Sequence, residues 1–225
     1  MTYSIVAADP AQGLLGIAIA TSPPAIGGRA VHLRAGVGAV ASQGNTNPAV
    51  GALGLDALAG GEPPAAALAG LSGRAHFATR QIGVVDAAGV SAGHTGTATE
   101  PSRGAICGPG FSIQGNHLAG EDVLPAMQAA WLAGEALGFE ARLLAALAAG
   151  RDRGGDRSGT RSAALKVVGA SPQPRTDLRV DWQPDPADDA VAALARLLHL
   201  WQPLIGFYLR RPNEPDLGAW DAQRP

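Results

Sequence analysis

Cysteine occurs once in these 225 residues, at Cys107, and lysine once, at Lys166. A single cysteine excludes an internal disulfide and suits a reducing compartment. Aromatic residues make up only 4% of the chain, so its layers must pack closely on small side chains. No basic run carries interleaved aromatics, and the net charge is -2 with an isoelectric point near 6.2, which argues against a nucleic-acid partner. No apolar run reaches the roughly 18 residues of a membrane span, and no charged and apolar leader precedes Thr2. The expectation is a cytoplasmic protein with no membrane association. His94 and His117 lie too far apart for a metal pattern, and no other cluster has ligand spacing. Neither a metal nor a cofactor is expected.

What is present is a succession of short alternating segments. Residues 2–21, TYSIVAADPAQGLLGIAIAT, alternate, break at Asp9-Pro10 and Gly13, and alternate again, which predicts a β-hairpin. Ser22 to Leu33 reads as a turn-rich surface connection, and Gly36 to Gln43 as a strand of small residues on which another layer can close. Asn45 to Pro48 supplies caps and a proline for one helix, and Glu62-Pro63-Pro64 opens a second. RQIGVVD and VSAGHTG form another hairpin, residues 98–110 read as loop, and Phe111 to Asn116 as a strand. Helix is expected from about Glu121 to Ala149, divided at Gly138. A charged glycine-rich loop, Arg151 to Thr160, leads to a strand from Arg161, and Asp177 to Trp182 should pair nearby. Asp185-Pro186 then caps a final helix to about Leu209, with Val191, Leu194, Leu198, Trp201 and Ile205 on one stripe and a kink at Pro203.

Helices thus come in pairs between groups of hairpin-linked strands, so a doubly wound fold is excluded. The pattern fits an α+β protein: two mostly antiparallel sheets face to face with helices on both outer faces. One domain is expected over residues 1–209, followed by an extended or disordered tail over 210–225. Aromatic surface near Trp201, Phe207 and Tyr208 exceeds what a short arm needs and points to a homo-oligomer.

Thr2 is the residue with the most chemistry. An initiator methionine before so small a side chain is removable, leaving a chain that begins with a threonine on a strand. Its hydroxyl would be the nucleophile, and its α-amine, with an ordinary pKa of about 7.7 to 8.0, the base.

The segments at 2–22, AGVGAVASQ at 35–43, HTG at 94–96, IQGNHLAGEDVLPAM at 113–127 and GGDRSGTRSAAL at 154–165 resemble, in order, those of the bacterial family of unknown function DUF1028. That family is grouped with the N-terminal-nucleophile hydrolases. The resemblance implies their four-layer αββα sandwich and amide hydrolysis, and does not name the substrate. At matching positions, Gly115 and Asn116 end a strand where an N–H and an amide can face an oxyanion, each donor there being worth roughly 2.7 to 4 kcal/mol. The superfamily implies that a loop Asp and a Ser orient the terminal residue, here Asp156 and Ser162. Ser22, Gln43 and His94 are the candidates for contacting a small-molecule substrate. Lys166 shares a strand face with Ser162, but an edge position suits it better than a catalytic one. The rival reading is a noncatalytic ligand-binding or scaffold protein on the same fold.

Overall fold

The computed structural model of the chain describes residues 1–171, 173–185 and 188–219. The first hairpin forms where the alternation places it, with β1 at Thr2–Asp9 and β2 at Leu14–Thr21. Asp9 accepts the Gln12 N–H at 3.1 Å, and Gly13 closes the turn at φ 64°. Later strands are β3, Val31–Arg34; β4, Gly38–Gly44; β5, Arg80–Asp86; and β6, Ser91–Thr95. They are followed by β7, Gly104–Gly108; β8, Phe111–Asn116; β9, Ser162–Val168; and β10, Thr176–Val180. Two sheets result, a six-stranded one in the order β10-β9-β2-β1-β8-β7 and a four-stranded one in the order β3-β4-β5-β6. Every pairing between these strands is antiparallel.

The sheets face each other across a seam of Val6, Ala8, Ile17 and Ile19 against Ala39, Ala41 and Val85. Small side chains on the β4 side allow that close approach, as the composition predicts. Helices α1, Pro48–Ala59, and α2, Pro64–Gly70, cover the outer face of the smaller sheet through Val50, Leu55, Leu58 and Leu68. The Asn47 side chain caps α1 by accepting the Ala49 N–H at 3.0 Å. Helices α3, Val123–Ala133, α4, Phe139–Asp152, and α5, Ala190–Trp201, cover the larger sheet. Met127, Leu143, Leu147 and Leu194 bury there against Tyr3, Ile5, Ile113 and Leu165, each such side chain contributing about 1.5–3 kcal/mol.

Two expected loops contain strands. Val31–Arg34 is only four residues long, and Gly104–Gly108 lies between glycine and proline signals. Both sit at sheet edges, where short and glycine-rich strands are tolerated. The last helix begins later than expected: Asp189, whose side chain accepts the Val191 N–H at 2.8 Å, is its cap. Pro186 lies outside the described residues. At Pro203 the helix tightens to a 3-10 turn, Gln202–Leu204, before α6, Ile205–Arg210.

The continuous stretch Ala190–Arg210 is 21 residues long and apolar enough, by length and composition, to cross a bilayer. Its first turns are instead seated on the sheet through Val191, Leu194 and Leu198, while Leu197, Leu200 and Tyr208 are exposed. Of the expected tail, Pro215–Leu217 forms a 3-10 turn, and residues 220–225 lie outside those described.

Candidate functional site

Register brings four polar side chains into one row at an end of the seam. Thr2 stands opposite Thr21 on β2 and Asn116 on β8, and Thr21 stands opposite Ser162 on β9. The order across the sheet is therefore Ser162, Thr21, Thr2, Asn116, and all four are almost fully buried. The Thr2 Oγ1 lies 3.1 Å from the Thr21 Oγ1, and both hydroxyls donate to the carbonyl of Met1. The Met1 α-amine donates to the Asn116 Oδ1. Met1 therefore lies over Thr2 as a lid one residue thick.

Of the row, Asn116 lines a cleft of about 360 Å³ that runs between Met1 and Asn116 on one side and Gly44, Asn45, Thr79 and residues 98–100 on the other. Burial pushes the Met1 amine below its ordinary value near 8, and the nearby carboxylates of Asp156 and Glu100 oppose that shift.

Asn116 is held by a chain of oriented hydrogen bonds filling the seam behind it. The Gln81 Nε2 donates to the carbonyls of Gly115 at 2.9 Å and Gly104 at 3.1 Å. Carbonyls only accept, so the Gln81 amide has one orientation and its Oε1 faces the other way. That oxygen accepts from the Asn116 Nδ2 and from the Gln43 Nε2, each at 2.8 Å. Gln43 in turn accepts from the Ser4 Oγ at 2.7 Å, and Ser4 from the Gln114 Nε2 at 2.6 Å. The Ser112 Oγ ends the run by donating to the Gln114 Oε1 at 2.8 Å. The consequence at the cleft is definite: with Nδ2 engaged by Gln81, Asn116 turns its acceptor oxygen toward the amine.

Gly83 makes this column possible, because a Cβ there would meet the Gln114 Oε1 at 2.1 Å.

Asp156 occupies the neighbouring loop and is 1% exposed. It does not pair with Arg153 or Arg157, which reach Asp122 and the Ser102 hydroxyl instead. Its carboxylate accepts the Ser22 N–H at 3.0 Å and the Ser158 N–H at 2.9 Å, and meets the His117 Nδ1 at 3.3 Å. Gly155, at φ 49°, lets the loop press on the Tyr3 ring, which a Cβ would meet at 2.7 Å. The Tyr3 hydroxyl lies 3.3 Å from the Thr160 Oγ1, and burial raises its pKa.

The expected residues divide as follows. Thr2, Asn116 and Ser162 share the row, although the Ser162 Oγ accepts the Ile26 N–H at 3.0 Å instead of meeting Thr2. Asp156 joins them from the loop, Ser22 reaches it through backbone, and Gln43 is buried behind the row. Gly115 contributes a carbonyl that accepts from Gln81. His94 is not brought to the cleft. It pairs with Ile82 on the helix-covered face of the small sheet and stacks on Phe77 with 3.8 Å between ring centroids. Its Nε2 lies 3.2 Å from the Phe77 carbonyl. Lys166 lies two rows away on β9 and pairs with Asp177 at 2.8 Å.

Thr21, Gln81, His117 and Glu100 were not anticipated. Thr21 was legible in principle, since hairpin register alone sets it opposite Thr2. Among the described residues, no group of three His, Cys, Asp or Glu side chains is placed to hold a metal ion.

Fold and site together define an α+β protein of two facing antiparallel sheets, with a hydroxyl-rich row at the start of its central strand. Residues 2–190 match the family of unknown function DUF1028, and the chain belongs to that family. A crystal structure of a Silicibacter pomeroyi protein from the same family is similar at 33% identity and TM-score 0.81, over 89% of this chain and 88% of that one. No curated protein matches the chain.

Proposed function

We propose that the layering is the four-layer αββα sandwich of N-terminal-nucleophile hydrolases, and that the chain freed of Met1 hydrolyses an amide bond in a small molecule. The observation that carries this reading is the placement of Thr2. Its hydroxyl is buried at the end of the central strand, beneath Met1, which lines the cleft, and already donates to the Met1 carbonyl.

In this mechanism the Thr2 Oγ attacks the substrate carbonyl while the Thr2 α-amine takes the hydroxyl proton. The Thr21 hydroxyl, which donates to the Met1 carbonyl, stabilises the oxyanion. The amine of the substrate leaves with the proton, and an ester to Thr2 remains. Water, deprotonated by the same α-amine, then releases the acid and restores Thr2. Asn116 serves as an acceptor for an amine rather than as the oxyanion donor expected from sequence. Asp156 braces the loop beside the row. The reading sets the reaction in the cytoplasm, where initiator methionines are trimmed.

The test is intact mass followed by an amide screen. Active protein should lack Met1, and Thr2→Ala should fold normally with turnover lost. Turnover by chains that retain Met1 would refute the mechanism.

A noncatalytic ligand-binding protein is the second reading, favoured by the tie of Lys166 to Asp177 and away from Thr2. It predicts that ligand-induced stabilisation is the same in wild type and Thr2→Ala, with no hydrolysis by either.

A further inference from the structure

We propose that the cleft selects acyl groups bearing a free α-amine, so that its substrates are α-aminoacyl amides. This rests on the proposed Thr2 chemistry for its reaction, but not for its binding.

Met1 shows how such a group sits. Its carbonyl accepts from the hydroxyls of Thr2 and Thr21, and its α-amine donates to the Asn116 Oδ1. The nitrogen and hydroxyl oxygen of one threonine can reach the same carbonyl carbon through a five-membered ring. An acyl group carried on the Thr2 Oγ would therefore occupy the seat that Met1 fills on the nitrogen.

Two independent features suit that seat to an amine donor. The Asn116 oxygen faces it because Gln81, fixed by the Gly104 and Gly115 carbonyls, holds the Asn116 Nδ2. A donor-presenting Asn116 is thereby excluded. Among the described residues, Glu100 is also the one ionisable side chain lining the cleft. Arg80 and Arg103 brace its walls by donating to the carbonyls of Asn45 and Ala75, and of Thr97 and Thr99.

The side chain is less tightly specified. Met1 is 37% exposed and its Sδ accepts from the exposed Ser158 hydroxyl at 3.3 Å, so the seat reads the amine and tolerates many side chains.

Binding separates from turnover in the Thr2→Ala chain prepared to begin at residue 2. Calorimetry with methionine amide, N-acetylmethionine amide and the desamino analogue should show the free-amine compound bound at least tenfold more tightly than either. Glu100→Gln should weaken methionine amide about two- to threefold and leave the N-acetyl compound unchanged. Equal or tighter binding of the N-acetyl compound would overturn the proposal. If the amine preference appears while wild type hydrolyses none of the three, the seat stands and the Thr2 mechanism falls. If wild type cleaves the N-acetyl and free-amine amides equally well, the mechanism stands and the seat falls.

Discussion

Replacing Gln81 with leucine tests the column that orients the cleft. Gln81 is completely buried, and leucine has nearly its size but neither accepts nor donates. The substitution removes the acceptor of the Asn116 Nδ2 and the better of two acceptors of the Gln43 Nε2, whose other contact is the Thr2 carbonyl at 3.4 Å. A buried polar group left unpaired costs about 1–3 kcal/mol. One full orphan, one partial orphan and the lost bonds to the Gly104 and Gly115 carbonyls give a destabilisation of about 3 kcal/mol. That is more than a hundredfold in the folding equilibrium. Urea unfolding measures it as a lower midpoint at unchanged slope. The Asn116 amide would also be free to rotate, so the preference for a free amine should shrink in the same variant. A loss below about 1 kcal/mol at unchanged slope would refute the claim that Gln81 pins the amides around it.

Two further predictions concern charge. The Glu140 carboxylate is buried, accepting from the Arg175 Nε at 2.7 Å and from the Thr176 Oγ1 at 3.3 Å. Arg175→Leu should cost about 2–3 kcal/mol in urea unfolding, below the roughly 3–5 kcal/mol of a fully buried pair because Arg175 is partly exposed, and adding Glu140→Gln should recover most of it. The Met1 amine has a folded-state pKa below its unfolded value near 8, so the unfolded chain binds more protons between the two. Stability of the Met1-bearing chain should therefore rise with pH through that window and level off above about 8. Thermal midpoints compared with those of the N-acetylated chain check this, and parallel curves would refute it.

Much of the strand and helix order was legible because alternation, Asn-Pro and Pro-Pro starts and glycine breaks all agree locally. The edge strands Val31–Arg34 and Gly104–Gly108 escaped because four or five residues carry too little alternation to outweigh the surrounding turn signals. At the site, Thr2 could be picked out by its place in the chain and Asn116 by its place at a strand end. The environment of Asp156 could not be read, because an arginine-rich loop looks solvated until its backbone is seen to fold under His117. Gln81 was hidden for a related reason. A glutamine in an apolar strand has no local signature, and its partners lie 14 to 38 residues away. His94 misled because one residue decides the face of a strand, and its neighbour Thr95 is the one that meets Gln81, at 3.0 Å.

The same arithmetic governs the first strand. Thr2, Ser4, Val6 and Ala8 face the seam, whereas Tyr3, Ile5 and Ala7 face the helices. The terminal hydroxyl reaches its cleft by parity: an even number of steps separates it from Val6, whose position the hairpin fixes. Deleting one residue between them would give the new terminus an odd count and turn its side chain toward the helices, even if every other contact re-formed. Deleting two would restore the facing but withdraw the hydroxyl by about 6.6 Å, two residues of strand rise. Selection on such a strand acts on its length as an integer, and that constraint is independent of which side chains line the cleft.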